Sequence, residues 1–169
     1  MNQGDMFGIT LAQAREETML AARTKAIRCP CCDKNVKVYR RKFNSGMALT
    51  MIYTYPLFNQ YSGKFLDVLH YCAKYHNYIA GEIGKLVWWG LMERQSVESE
   101  TGGKGSGKYR MTPKGFQFTL NKRTVPSHAI EYLSNVESFV GDEITIEQAL
   151  GRHFNYRELM RGPALELVQ

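Results

Sequence analysis

Three observations make this chain an α+β protein, mainly helical. Residues 45–56, 64–76 and 78–90 carry apolar side chains at spacings of three and four, as helices with one buried face do. They are followed by two strand-like stretches, MERQSVES and YRMTPKGFQFTL, on either side of a glycine–lysine loop. The composition, 44% hydrophobic and 22% charged over 169 residues, suits one compact core with a smaller appendage.

Each element has its own signal. Thr10 is placed to cap a helix running to about Arg23, with Glu16 and Glu17 early in it. RCPCCDKNVKVYRRKF follows, a cysteine-containing turn leading into a basic strand. Ser45 is the expected cap of a helix that buries Met47, Leu49, Met51, Ile52, Tyr53 and Tyr55 and stops at Pro56, because proline lacks the amide a helix interior needs. KFLDVLHYCAKYH predicts a second helix with Phe65, Leu66, Val68, Leu69 and Cys72 inward. YIAGEIGKLVWWG predicts a third, buried through Ile79, Ile83, Leu86 and Val87 and ended by Gly90. In the tail, HAIEYL and VESFV read as short strands, Thr145 as the cap of IEQALGR, and YRELM as a last helix. The expected division is 1–43, an N-terminal helix with a cysteine knuckle and basic strand; 44–126, the helices and hairpin; and 127–169, a small acidic α/β extension.

The loop TGGKGSGKYRMTPKG, residues 101–115, nearly spells a nucleotide-binding P-loop through Gly102, Gly107 and Lys108. The hydroxyl that would ligate magnesium is replaced by Tyr109, and the continuation through Pro113 and Gly115 reads as a strand ending in a turn, with no helix to present its amides to phosphate. The lysines are therefore read as a cationic hairpin tip.

The net charge of +6 is clustered. Residues 23–42 hold eight bases against Asp33 alone, and residues 101–126 hold six bases and no acid, whereas 127–169 carries three bases and seven acids. Two acid-poor blocks of this kind repel themselves unless an anionic partner neutralises them, which points to nucleic acid; the plain alternative is two solvated faces.

The helix, helix, helix, strand, basic loop, strand order is that of a winged helix-turn-helix. KLVWWGLMER…GKYRMTPKGFQF resembles the passage of MarR- and PadR-type winged-helix regulators in which a recognition helix turns through Leu-x-x-x-Gly-Leu into the first wing strand and returns through Tyr-x-x-Thr-x-x-Gly. Leu86, Gly90 and Leu91, then Tyr109, Thr112 and Gly115, stand at those positions. The likeness covers about residues 45–120. The whole chain is also similar to small proteins encoded by phages and prophages, which implies a bacterial host cell as its setting.

That resemblance implies a DNA-binding protein, a transcriptional regulator, with Lys104, Lys108 and Arg110 of the wing on the phosphate backbone. Arg40, Arg41 and Lys42 would add phosphate contacts from the basic strand, with Asn77, Tyr78 and Lys85 on or near the recognition helix. The inventory of base-reading side chains is thin, and the Trp88–Trp89 pair fits a protein surface equally well. A winged-helix scaffold that binds a host protein, as inhibitor or adaptor, is therefore the alternative, and the acidic extension leaves room for a homodimer.

Cys29 and Cys32 resemble one knuckle of a zinc ribbon, and the set Cys29, Cys32, Cys72 and His76 would complete four zinc ligands; buried free thiols are the simpler reading. No other cofactor is expected. No nucleophile motif or paired carboxylates appear, so no catalysis is expected. The acids in MNQGDMFGITLAQAREE and the absence of a long apolar run predict a cytoplasmic protein with no membrane partner.

Overall fold

The computed structural model describes residues 8–77, 80–96 and 107–161. In chain order the elements are α1 (Leu11–Ala22), β1 (Ile27–Arg28), β2 (Asn35–Val36), β3 (Tyr39–Lys42), α2 (Ser45–Gln60), β4 (Leu66–Asp67), α3 (Val68–His76) and α4 (Ile83–Leu86). They continue as β5 (Met92–Arg94), β6 (Lys108–Met111), α5 (Pro113–Thr119), β7 (Val125–Tyr132), β8 (Asn135–Ile144), α6 (Ile146–Leu150) and α7 (Tyr156–Arg161). Among the described residues this is a mixed α/β chain, with seven helices and three small antiparallel sheets, ordered β1-β2, β3-β7-β8 and β4-β6-β5. No helix among them is long and apolar enough to cross a membrane.

The chain divides into two compact units, Met1–Arg41 with His128–Val140, and Lys42–Ser127 with Gly141–Gln169. The segment 127–169 read from the sequence as one extension is thus shared between them. Periodicity along the chain says nothing about which distant segment a strand will join.

In the first unit, α1 starts as expected. Thr10 accepts from the Gln13 amide while the Gln13 side chain accepts from the Thr10 amide, so two end groups are satisfied together. Ala14, Thr18 and Ala22, four residues apart, form its buried stripe. The Val38 amide donates to the Ala22 carbonyl at 2.9 Å and ties the helix end to the strand that follows. On the tip of β7, Ala129 and Glu131 alternate inward. A carboxylate on a buried face needs a cation, and the Arg41 Nε donates to Glu131 Oε2 at 2.6 Å while its guanidinium lies 4.3 Å from the Tyr39 ring centre. Arg41→Ala would strand that carboxylate, whose side chain is only 11% exposed. A urea titration is expected to show a loss of about 1–3 kcal/mol.

In the second unit, α2 is the central helix, packed against α3, α4, α5, α6 and α7. Met47 to Ile52 are all buried, as a helix apolar on every side must be. Its cap is Asn44, which accepts from the Met47 amide at 3.0 Å, one residue before the expected Ser45. The helix runs through Pro56 to Gln60, contrary to the expected stop. A proline forfeits one backbone donor, and a helix held by packing on most of its length can carry that loss. Leu66 and Asp67 form strand β4, and α3 then begins with Asp67 as cap, accepting from the His70 amide at 2.9 Å. Tyr71 faces inward where Leu69 was expected; Leu69 is exposed. The tail follows expectation, with a Thr145–Gln148 capping box on α6 and the Tyr156 hydroxyl of α7 donating to the Thr119 carbonyl at 2.8 Å.

The largest local departure lies at Thr112–Thr119. The sequence reads as a strand running into a turn, but a helix, α5, begins at Pro113. Thr112 is its cap and Pro113 its first residue, where a missing amide costs nothing and φ is already helical. This removes one ground for rejecting a P-loop. The rejection stands on another: Lys108 opens strand β6, antiparallel to β5, so the lysine sits in a ladder and not at a helix start.

Candidate nucleic-acid interface

The segment leading to the hairpin is tighter than an α-helix. Among its described residues only Ile83–Leu86 is α-helical, and the amides of Ile83, Lys85, Trp88 and Gly90 donate to carbonyls three residues back. The buried positions follow the same spacing: Ala80, Ile83, Leu86 and Trp89. That is the three-residue repeat of a 3₁₀ arrangement, which stacks side chains at i and i+3. Ile79, expected on the buried face, lies outside the described residues.

This segment ends on a braced turn. Gly90 adopts φ 67°, the left-handed conformation glycine takes most readily. Three successive carbonyls then find donors from the start of α5. Lys114 Nζ donates to the Trp89 carbonyl at 2.7 Å, Thr112 Oγ1 to that of Gly90 at 2.7 Å, and the Thr112 amide to that of Leu91 at 3.1 Å. Burial and the nearby Arg123 lower the Lys114 pKa, with Glu143 opposing. Trp89 itself is buried, edge-on to Phe43 at 5.2 Å, its indole nitrogen donating to the Pro126 carbonyl at 2.7 Å. Trp88 is half-buried against it.

Strand β6 alternates, whereas in β5 both Glu93 and Arg94 are exposed. Met92, Tyr109 and Met111 are buried, while Glu93 and Lys108 are exposed. Register places Glu93 opposite Arg110 and Arg94 opposite Tyr109, with Asp67 of β4 opposite Lys108. Arg110 is bound into the sheet, with Nε donating to Glu93 Oε2 at 2.7 Å and its guanidinium 4.7 Å from the Phe65 ring centre. Arg94 donates through Nε and Nη2 to the Tyr109 hydroxyl at 3.1 and 2.8 Å.

The residues predicted to bind nucleic acid therefore fall into several groups. Lys108, Arg40 and Lys42 are exposed. Arg110, Lys85 and Arg41 each hold a carboxylate, respectively Glu93, Glu82 at 2.8 Å and Glu131. Asn77 is exposed and ends α3 in the left-handed conformation, φ 46° and ψ 41°, with its amide donating to the Cys72 carbonyl. Tyr78 and Lys104 lie outside the described residues. Arg40 and Arg41 belong to the first unit, Lys42, Asn77, Lys85, Lys108 and Arg110 to the second. Two exposed cations of the second basic block, Lys122 and Arg123, were passed over as site residues, although the block's lack of acids already marked them.

Among the described residues no group of three or more His, Cys, Asp or Glu side chains is arranged to hold a metal ion; of the expected ligands, Cys29 and Cys32 belong to the first unit and Cys72 and His76 to the second. Cys72 is buried in the α3 core face, and burial pushes its thiol up to about 12, the protonated state of a packing residue. His76 is stacked on Tyr53, 4.4 Å between ring centres, and its buried Nε2 has no hydrogen-bond partner. Burial lowers the His76 pKa, partly offset by its hydrogen bond to the Tyr53 backbone. A depressed histidine favours the neutral ring in the folded state, so its contribution is intact above the unfolded value of 6.5 and is lost as pH falls toward the folded value. Urea titrations are expected to show stability declining below about pH 6.5, with a shallower decline in His76→Gln. Equal slopes would contradict this assignment.

Comparison with known proteins returned nothing: no family model, curated protein or solved structure matches the chain.

Proposed function

We propose that residues 45–111 form a winged-helix module and that the protein binds duplex DNA by its phosphate backbone, without reading base edges. The observation that carries this reading is topological. The order α2, β4, α3, α4, β5, β6, with β4 joining the sheet beside β6, is the order and pairing of a winged helix. In this reading the β5–β6 connection is the wing, and Lys104 and Lys108 neutralise phosphates, with Lys122 and Arg123 extending the charge. Arg110, already paired with Glu93, orders the strand that carries Lys108.

The absence of base readout follows from the same residues. A recognition helix needs several turns and polar side chains free to enter the major groove. The α-helical part of α4 spans four residues, and Lys85 is held by Glu82. Binding of this kind suits an architectural or accessory regulator in the phage or prophage setting that the sequence resemblance implies, acting as a binding module with no catalytic step.

Anisotropy of a labelled duplex at low and moderate salt tests the reading. Binding at about 50 mM salt that weakens steeply toward 200 mM is the expected result, and no binding at low salt contradicts it.

A second reading rests on the three internal ion pairs. Arg41, Lys85 and Arg110 are each partnered with a carboxylate of the same chain, which leaves fewer cations for phosphate and favours a protein surface as the target. Capture of one stoichiometric host protein from nuclease-treated lysate, together with no duplex binding, is the outcome that would favour it.

A further inference from the structure

The connection from β7 to β8 is two residues long, and both take the left-handed conformation: Leu133 at φ 49° and Ser134 at φ 66°. A hairpin turn of this kind ordinarily uses Asn-Gly, because a bulky side chain at positive φ crowds its own backbone. Leucine is poorly suited to it, being large and having no polar atom to bond the turn. The Asn135 side-chain amide donates to the Leu133 carbonyl at 3.2 Å and holds the turn from the following residue. Leu133 is also 61% exposed, more than any other large hydrophobic among the described residues. Backbone strain and exposure both count against a leucine here, and asparagine or glycine would serve the fold better.

The surroundings of this tip lie within the first unit and are cationic and aromatic. β3 is the antiparallel neighbour of β7, and Arg41 of β3 meets Glu131 of β7. An antiparallel neighbour begins where its partner ends, so the start of β3 lies toward the Tyr132–Leu133 end of the hairpin. Lys37 and Arg40 are exposed and have no carboxylate partner among the described residues. Tyr39 is 41% exposed, with Lys37 Nζ 5.9 Å and the Arg41 guanidinium 4.3 Å from its ring centre. The two acids nearest the turn are already neutralised, Glu131 by Arg41 at 2.6 Å and Glu137 by Arg23 at 3.2 Å. Nothing left uncompensated on this side of the hairpin repels phosphate.

Resting on the duplex-binding reading above, we propose that Leu133 is a wedge that enters between adjacent base pairs from the minor groove and kinks the DNA. An apolar tip beside unpaired cations matches a partner that is anionic outside and apolar between its stacked bases. Side chains such as leucine, inserted in this way, partly unstack a base step and kink the duplex by about 20–90°. Lys37 and Arg40 hold the flanking phosphates, which fix the tip against the groove. A leucine reads no hydrogen-bonding pattern on a base edge, so the wedge adds bending while leaving base identity unread.

Ligase-catalysed closure of a duplex of about 100 bp, shorter than the persistence length of about 150 bp, tests the proposal with the full chain. Anisotropy on the same duplex reads binding separately from bending. The wild-type protein should bind and produce closed circles. Leu133→Asn should lose the circles and bind more weakly, with an unchanged salt slope because no phosphate contact is removed. Its urea midpoint should be no lower than wild type, since asparagine accepts positive φ more readily, so misfolding cannot account for the loss. Leu133→Met, which keeps an apolar wedge, should restore circle formation. Binding without circles, or equal circle yields from wild type and Leu133→Asn, overturns the wedge and leaves the duplex-binding reading standing. Failure of the wild-type protein to bind the duplex overturns both.

Discussion

Trp89→Ala is expected to lower the unfolding free energy by about 3–5 kcal/mol, a large share of what holds a domain of this size together. The residue is 2% exposed and makes three contacts. Its ring meets Phe43 edge-on at 5.2 Å, and Phe43 meets Phe118 in the same way at 5.2 Å, so removing it opens a void in an aromatic cluster. Its nitrogen satisfies the Pro126 carbonyl at 2.7 Å. Its own carbonyl anchors Lys114 at 2.7 Å. The last contact belongs to the backbone and survives the substitution, so the loss comes from the void and the stranded Pro126 carbonyl. Trp89→Phe should retain much of the packing and lose mainly that hydrogen bond, about 1 kcal/mol. Urea unfolding followed by circular dichroism separates the three proteins. A Trp89→Ala midpoint close to wild type would contradict the packing described.

Gly115→Ala is expected to cost at least about 3 kcal/mol, or to prevent folding, for a reason opposite to cavity formation. A Cβ at this position would lie 2.2 Å from the Leu91 carbonyl oxygen and 3.1 Å from its carbon, both backbone atoms, and 2.9 Å from Met111 Cγ. The methionine can move. The Leu91 backbone cannot, because its carbonyl accepts from the Thr112 amide at 3.1 Å and its own amide donates to Leu86 at 3.1 Å. Relief would require α5 to lift from the turn and release the Thr112 and Lys114 contacts. Gly81→Ala is the control, since nothing lies within 4 Å of its Cβ; that variant should match wild type within about 0.5 kcal/mol. Similar stability in the two variants would contradict the close approach of α5 to Leu91.

Gly115 also shows how legible this chain is. The Tyr-x-x-Thr-x-x-Gly pattern could be read in the sequence, yet its physical meaning was missed. Thr112 caps a helix whose third residue must be glycine to lie against the preceding turn, whereas local alternation made the same residues look like a strand. Where a boundary depends on adjacent side chains it was readable, as in the Thr10–Gln13 and Thr145–Gln148 capping boxes. Where it depends on packing it was not. Pro56 reads as a stop, and α2 passes through it because five other helices surround that element. The 3₁₀ spacing of Ala80, Ile83, Leu86 and Trp89 was masked because an α-helical reading accounts for two of the four.

The candidate site was partly legible for a similar reason. Clustered lysines and arginines can be counted in a sequence, but the carboxylate that holds each one cannot be assigned without strand register. Glu93 faces Arg110 only because β5 and β6 pair as they do. Glu131 left a trace, as the acid on the inward side of an alternating strand, and such a residue calls for a cation somewhere in the fold.

The salt dependence of duplex binding tests the central claim most directly. Affinity measured from about 50 to 200 mM salt on two duplexes of unrelated sequence should fall along the same line for both. In the Lys104→Gln/Lys108→Gln variant the log–log slope should be shallower by about 1.8, the share of two phosphates. Strong preference for one duplex, or an unchanged slope in the variant, would contradict backbone binding through the β5–β6 connection.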